Sequence, residues 1–324
     1  MAEYKDLRGG KVKNYTTNPD NPYEGQVWFN ETAGELRIRK GTKTTAWASG
    51  GALNTGRIAL GAAGTQTAGL AFGGNVPPAT AATEQYNGSS YSEVNDLNTA
   101  RHSFGSNGTQ TSALAYGGNI SPSQQTESWN GSSWTEVADL NTARDSFNGA
   151  GATNTSALAF GGEPPNNGIT NTESWNGSSW TEVNDLSPGT RKGGGLGIAT
   201  AALAFGGQNP SNTAITQEWN GTNWYTVNSL NTAKSTLAGA GTTDDGIAFG
   251  GYSTTDLANT EAWNGAVWTE TNDLNTVTSL NAGTGTGTAA LSIGAPGAKT
   301  ITEEWNAGIA VGAWITGGNL NNAR

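Results

Sequence analysis

Cysteine is absent from this 324-residue chain, and so are long apolar runs. Without cysteine there is no disulfide framework and no thiol chemistry. No stretch approaches the roughly 20 apolar residues that a membrane-spanning helix needs, so membrane insertion is not expected. The opening Met1-Ala2-Glu3-Tyr4-Lys5 lacks an apolar signal core, which argues against export through a cleaved leader. Histidine occurs once, as His102, too few for a triad or a histidine-built metal site. Positive charge is scarce: residues 51–324 hold eight basic and twenty acidic residues, a net charge of −12, whereas residues 1–50 carry +2. Phosphate contacts need basic patches, so nucleic acid is not an expected partner.

Glycine (48 residues) and tryptophan (12) are abundant instead, and both recur in phase. The aromatics Trp47, Tyr91, Trp134, Trp180, Trp224, Trp268 and Trp314 follow one another at intervals of 43 to 46 residues. Glycine pairs keep the same beat at Gly73-Gly74, Gly117-Gly118, Gly161-Gly162, Gly206-Gly207 and Gly250-Gly251, and the sixth degrades to Gly294-Ala295. A period in the mid-forties points to a propeller or a solenoid. Thr172 to Val183 reads as strand, Asn-Gly turn, strand, the strongest short hairpin signal. Asp145 to Phe160 reads as two more strands, so each copy holds about four antiparallel strands, as a propeller blade does. No stretch shows helical periodicity. The expected fold is therefore all-β, a six-bladed propeller preceded by a short extended arm and a β-hairpin. The boundaries are 1–25 for the arm, 26–50 for the hairpin module and 51–324 for the propeller.

The apolar run ending in Gly-Gly, followed by paired aromatics, resembles kelch repeats. The pairs are Tyr86/Tyr91, Trp129/Trp134, Trp175/Trp180, Trp219/Trp224 and Trp263/Trp268, with a shorter loop between the aromatics than kelch repeats usually have. The resemblance covers residues 51 to 324 and implies the fold; propellers host many functions, so it implies no activity. The paired aromatics read as core filler between blades.

Six cations, Arg57, Arg101, Arg144, Arg191, Lys234 and Arg324, occupy one repeat slot, ten residues after the second aromatic (eleven for Arg191). Asp96, Asp139, Asp185 and Asp273 occupy another a few residues earlier. The preferred reading is a structural ring of Asp–Arg contacts at the blade-to-blade links; the alternative is an anion-binding ring around the central channel. Glu84, Glu127, Glu173, Glu261 and Glu303 each precede an aromatic by two, the pattern of exposed strand positions.

Let the strands of a blade be a to d from the axis outward. The b–c loops and d–a links then share one face. The c–d turns are near-identical Asn-Gly-Ser-Ser hairpins, whereas the b–c loops are unlike one another. Variable loops on a rigid scaffold are where binding usually resides. Candidate partner- or receptor-binding residues are Asn75, Pro77, Asn119, Pro122, Glu163, Asn166, Asn167, Asn209, Asn212, Tyr252 and Asp256; neutral drift of these loops is the alternative.

The first 25 residues are polar, with little strand signal, and read as a docking arm carrying Tyr4, Lys5, Arg8, Lys11, Lys13 and Tyr15. Gln26-Val27-Trp28-Phe29-Asn30 and Glu35-Leu36-Arg37-Ile38-Arg39 read as two strands around a turn, and Gly41 to Trp47 as a third. The stretch Pro22-Tyr23-Glu24-Gly25-Gln26-Val27-Trp28-Phe29-Asn30 resembles a short module of bacteriophage tail-fibre and other virion proteins. The run Leu-Ala-Phe-Gly-Gly with Glu-Ser-Trp-Asn-Gly-Ser-Ser-Trp-Thr-Glu-Val is similar to segments of marine phage structural proteins. These resemblances imply a virion protein, made in the host cytoplasm and working outside the cell.

Two segments compete for one place in the ring. Trp47 to Arg57 and Trp314 to Arg324 have the same phase, Trp, six residues to Leu, four more to Arg. One closes the ring; the other packs as an additional outer strand or engages a neighbour. A seventh blade built from the N-terminal hairpin is the alternative, although residues 26–47 lack the Gly-Gly strand.

No catalytic constellation stands out. Asp244-Asp245 breaks the repeat but sits in a Thr-rich turn. Ser128-Trp129-Asn130-Gly131-Ser132-Ser133-Trp134 falls one residue short of the sialidase box and has Asn for Asp. Asn-Gly-Ser at Asn87, Asn130 and Asn176 is explained by the hairpin turn. No cofactor and no metal are expected. The expectation is a non-enzymatic virion structural protein, a tail appendage or fibre component. It would dock on other virion proteins or copies of itself through residues 1–50 and present the propeller to a cell-surface glycan or protein. A capsid, neck or tail-nozzle component binding only virion partners is one alternative; a carbohydrate-active secreted propeller is the other.

Overall fold

In the computed structural model the described residues are 13–16, 27–31, 35–38, 43–120, 122–164, 168–297 and 299–310. Two compact units divide the chain: residues 46–306, and residues 1–45 together with 307–324.

The first unit is a six-bladed β-propeller of four-stranded antiparallel sheets. Blade 1 comprises Gly61–Thr65, Ala68–Phe72, Thr83–Tyr86 and Tyr91–Val94. Blade 2 comprises Gly105–Thr109, Ser112–Tyr116, Thr126–Trp129 and Trp134–Val137, and blade 3 Asn148–Thr153, Ser156–Phe160, Thr172–Trp175 and Trp180–Val183. Blade 4 follows with Gly194–Ile198, Ala201–Phe205, Thr216–Trp219 and Trp224–Val227, and blade 5 with Ala238–Gly241, Gly246–Phe249, Thr260–Trp263 and Trp268–Glu270. Blade 6 takes Ala282–Gly285, Ala289–Ala295 and Lys299–Ala310 from the end of the chain and its outermost strand, Lys43–Ser49, from the beginning. The ring is thus closed by Trp47; Trp314 lies outside the described residues.

Tryptophan fills the space between blades, as its repeat predicted. Trp129, Trp175, Trp219, Trp263 and Trp305 are buried. Each outer-strand Trp donates its indole N–H to a third-strand Thr of the preceding blade: Trp134 to Thr83, Trp180 to Thr126, Trp224 to Thr172, Trp268 to Thr216 and Trp47 to Thr260, all within 3.0–3.2 Å. A buried indole N–H needs such a partner. Blade 1 carries Tyr91 instead, whose hydroxyl accepts from Thr302 at 3.3 Å.

The glycine pairs end the second strands with positive φ, 70° at Gly161 and 109° at Gly162. A Cβ on Gly161 would sit 2.4 Å from the Thr190 carbonyl oxygen, so only glycine lets the link pass.

The cation slot is structural, but its partner is Glu, not Asp. Arg57 pairs with Glu84 (3.0 Å), Arg101 with Glu127 (2.6 Å), Arg144 with Glu173, and Lys234 with Glu261 (3.3 Å), every side chain essentially inaccessible. This rules out an anion-binding ring of these cations around the channel, and it corrects the expectation that the glutamates are exposed. Blades pack face to face, so a third strand is covered on both sides. The carboxylate is held further by the link: the Asn98 amide N–H and side-chain Nδ2 donate to Glu127 Oε2 at 2.7 and 2.8 Å. Asn141, Asn231 and Asn275 repeat this on Glu173, Glu261 and Glu303. The aspartates do a different job. Asp96, Asp139, Asp185 and Asp273 accept the backbone N–H of Thr83, Thr126, Thr172 and Thr260 in their own blades.

Before blade 6 the slot is held by Thr278, which donates to the Gly294 carbonyl, and blade 4 departs further. Thr190 takes the buried slot and donates to the Gly206 carbonyl, while Gln217 replaces the glutamate and accepts from the Ser187 N–H. Arg191 is therefore not in the buried slot.

In the other unit, Val27–Asn30 and Glu35–Ile38 form the expected hairpin. Lys13–Tyr15 pairs with Val27–Asn30 in parallel, so this part of the expected irregular arm is a strand. Tyr4, Lys5, Arg8 and Lys11 lie outside the described residues.

Candidate binding face at the channel mouth

The d–a links and b–c loops surround a funnel of about 470 Å³ at one end of the central channel. Its rim is a ring of six residues, Ala59, Ser103, Ser146, Lys192, Thr236 and Leu280, one per link. All six are left-handed, with φ between 51° and 56°. Each N–H donates to the carbonyl of the preceding member: Ser103 to Ala59, Ser146 to Ser103, Lys192 to Ser146, Thr236 to Lys192, Leu280 to Thr236 and Ala59 to Leu280, at 2.6–2.9 Å. The circle is closed. Left-handed backbone costs an L-residue about 1–2 kcal/mol; six backbone hydrogen bonds in one polarising circuit hold these residues there. The rim's backbone polar groups are used tangentially.

Below the rim, Leu60, Phe104, Phe147 and Leu237 wall the funnel, with the inner strands beneath them. The axis itself is lined by small residues: Ala62, Ser106, Gly149, Gly195, Gly239 and Gly283.

The rim is electrostatically lopsided. Among the lining residues the charged ones, Asp145, Glu163 and Lys192, come from the links before blades 3 and 4 and the b–c loop of blade 3, whereas the links before blades 5, 6 and 1 contribute Thr236, Leu280 and Ala59. Glu163 pairs with Arg191 and lies 3.7 Å from Lys192 Nζ. The Ser146 hydroxyl donates to Asp145 at 2.7 Å. The His102 ring, half-buried and 3.1 Å from Ser103 Oγ, is held below the usual imidazole range by burial, with Asp145 pulling the other way.

The eleven candidate loop residues separate into groups. Asn119 and Glu163 line the funnel. Pro77, Pro122 and Tyr252 project into solvent, Tyr252 at 42 % exposure. Four others hold the loops together. Asn75 bridges Ile58 and Ala79 through its backbone. Asn209 Nδ2 donates to the Gly189 carbonyl at 2.6 Å, and Asn212 Nδ2 donates to the Tyr252 and Ser253 carbonyls of the next blade. Asp256 accepts from the Ser279 hydroxyl at 2.7 Å. Asn166 and Asn167 lie outside the described residues. Tyr15 is half-buried beside its strand partner, and the Lys13 side chain is outside the described residues.

Sequence reasoning missed the left-handed rim. Ala, Ser, Ser, Lys, Thr and Leu have no shared preference for that conformation; their only common signal is position, two residues beyond the buried slot. In the c–d turns, by contrast, the local sequence sets the conformation: Asn130 Oδ1 accepts the N–H of Ser132 and Ser133, and Asn176 does the same for Ser178 and Ser179.

Among the described residues no group of three or more His, Cys, Asp or Glu is arranged to hold a metal. The funnel offers hydroxyls, amides and a charged arc, the chemistry of hydrogen-bonded recognition. No protein-family model matches the chain, and a search of curated proteins finds no match.

Proposed function

We propose that this chain is a non-enzymatic structural protein of a bacteriophage virion, built on kelch-like repeats. In this reading it is a tail appendage or fibre component, made in the host cytoplasm and acting outside the cell. Residues 1–50 dock it on other virion proteins or on copies of itself, and the b–c face binds a cell-surface glycan or protein.

The observation that carries the reading is the difference between the loop sets of the propeller. The c–d turns of blades 1 to 5 all keep Asn-Gly, and in each the Asn side chain caps its own turn. The b–c loops are unlike one another, expose Pro77, Pro122 and Tyr252, and surround a funnel whose charge lies on one side. Rigid exposed rings and prolines lose little entropy on binding, and a polar, part-charged funnel suits a glycan's hydroxyls. The likeness of residues 22–30 and of the repeat to phage structural proteins supports the virion assignment.

Mass spectrometry of gradient-purified particles tests it. The full chain is expected in the particle fraction, and a chain lacking residues 1–25 is expected as a folded protein in the supernatant. Absence of the full chain from particles would contradict the proposal.

A further inference from the structure

The outer-strand site of blade 6 is defined by a few specific interactions. Trp47 donates to Thr260 Oγ1 at 3.0 Å and packs on Phe249 and Trp305, with centroids 4.8 and 5.4 Å away. The Gly50 N–H reaches the Thr302 carbonyl at 2.9 Å, and the Gly51 N–H reaches the Tyr86 hydroxyl at 3.1 Å. Leu53 is buried, the Asn54 N–H donates to Glu84 at 2.7 Å, and Arg57 pairs with Glu84.

The same residues recur in residues 313–324. Aligning 46–57 with 313–324 gives seven identities in twelve: Ala313, Trp314, Gly317, Gly318, Leu320, Asn321 and Arg324. They include the counterpart of every donor-segment residue just named. The exposed Ala48, Ser49 and Ala52 are not kept, being matched by Ile315, Thr316 and Asn319. The glycine pair is the address. At these two positions the other copies read Val94-Asn95, Val137-Ala138, Val183-Asn184, Val227-Asn228 and Thr271-Asn272. Blade 6 needs glycine because a Cβ on Gly51 would lie 2.1 Å from the Ser89 carbonyl oxygen. Residues 313–324 therefore carry the glycine pair of this site and not the pair found at the other five outer strands.

Each chain thus has two donor segments and one acceptor site. The third strand of blade 6 runs on to Ala310, five residues beyond Trp305, carrying the chain about 17 Å away at 3.4 Å per residue. The four steps from Ala310 to Trp314 span about 14 Å at most, too few to bring Trp314 back beside Trp305 of the same blade while that strand stands.

We propose that the blade 6 site is an exchange site that accepts residues 313–324 of a second copy of this chain in place of its own residues 46–57. The incoming segment restores the hydrogen bonds, ring packing and ion pair that the outgoing segment gives up, so the exchange is close to neutral. It frees the N-terminal segment of the accepting copy while its ring stays closed. A heterologous exchange of this kind passes from copy to copy and builds a closed ring or a filament.

The test uses the full chain in sedimentation velocity over a concentration series. Trp47→Ala weakens the resident donor and is expected to self-associate at a concentration at least tenfold lower than the unsubstituted chain; adding Trp314→Ala is expected to return it to monomer. Leu53→Ala, a milder change, should behave in the same way. A synthetic peptide of residues 313–324 should bind the Trp47→Ala chain saturably, and its Trp314→Ala version at least tenfold more weakly. Trp47→Ala and Leu53→Ala chains that stay monomeric and ignore the peptide overturn the proposal. So does a monomeric Trp47→Ala chain that loses stability on adding Trp314→Ala, because its ring is then closed by its own C-terminal segment.

Discussion

Arg144, in the link after blade 2, and Glu173, on the third strand of blade 3, form an ion pair with both side chains inaccessible to solvent. The guanidinium also donates to the Gly161 and Asn171 carbonyls, so one side chain ties the link to the glycine pair, the b–c loop and the third strand. Burial lowers the guanidinium's pKa and Glu173 opposes that.

Breaking such a pair from one side strands a buried charge, which costs about 3–5 kcal/mol. Glu173→Ala is expected to lose that much in chemical denaturation. Arg144→Thr with Glu173→Gln installs the neutral arrangement that blade 4 already uses, Thr190 with Gln217, and is expected to lose less than Glu173→Ala alone. Equal losses would show that the uncompensated charge is not the cause.

Lys234 offers one ammonium 3.3 Å from Glu261 where three other blades offer a guanidinium. Arg101 and Arg144 each donate to the glycine-pair carbonyl and to the loop carbonyl beyond it. Lys234→Arg restores that geometry for Gly250 and Asn259 and is expected to stabilise by about 1 kcal/mol, the net value of a hydrogen bond. A shift of the denaturation midpoint to higher urea checks it.

Thr236 is β-branched and left-handed, at φ 52°. Replacing it with glycine removes the steric cost while keeping its ring N–H and C=O. Thr236→Gly is expected to stabilise by about 1 kcal/mol, net of glycine's greater freedom when unfolded. A loss in thermal denaturation would mean that the side chain contributes more than the strain costs.

His102 gives a clean pH reading because it is the single histidine. Its folded pKa is lowered by burial, with Asp145 raising it. A lowered folded value means that its contribution to stability is fully present above pH about 6.5 and is lost as pH falls through the folded pKa. The imidazole C–H resonance should titrate below 6.5, and Asp145→Asn should move it lower still. An upward move on Asp145→Asn would remove Asp145 as the opposing charge.

The repeat made the blade count, the hairpins and the aromatic packing legible, because each depends on residues close in sequence. The Arg partner was not legible. Asp139 lies five residues from Arg144, whereas Glu173 lies 29 residues away in the next blade. Strand alternation also placed Glu173 on a solvent face that the neighbouring blade in fact covers. The left-handed rim was hidden for a similar reason: a hydrogen-bond circuit across six blades, not local preference, sets those φ angles. Of the candidate site, the loops were legible, but which loop residues are free and which brace the rim followed from interactions between blades. Trp47 and Trp314 sit in matching runs of residues, so the chain's own pattern left ring closure open.

Cross-linking and surface labelling of lysines on the native particle test the central claim most directly. Lys5, Lys11 and Lys13 stand in the proposed docking segment, and Lys192 stands on the funnel rim. The account predicts cross-links from residues 5, 11 and 13 to other virion proteins or to neighbouring copies, with Lys192 open to a water-soluble acylating reagent. Cross-links from Lys192 to virion proteins, with Lys5, Lys11 and Lys13 labelled freely by the reagent, would place the b–c face inside the particle and contradict it.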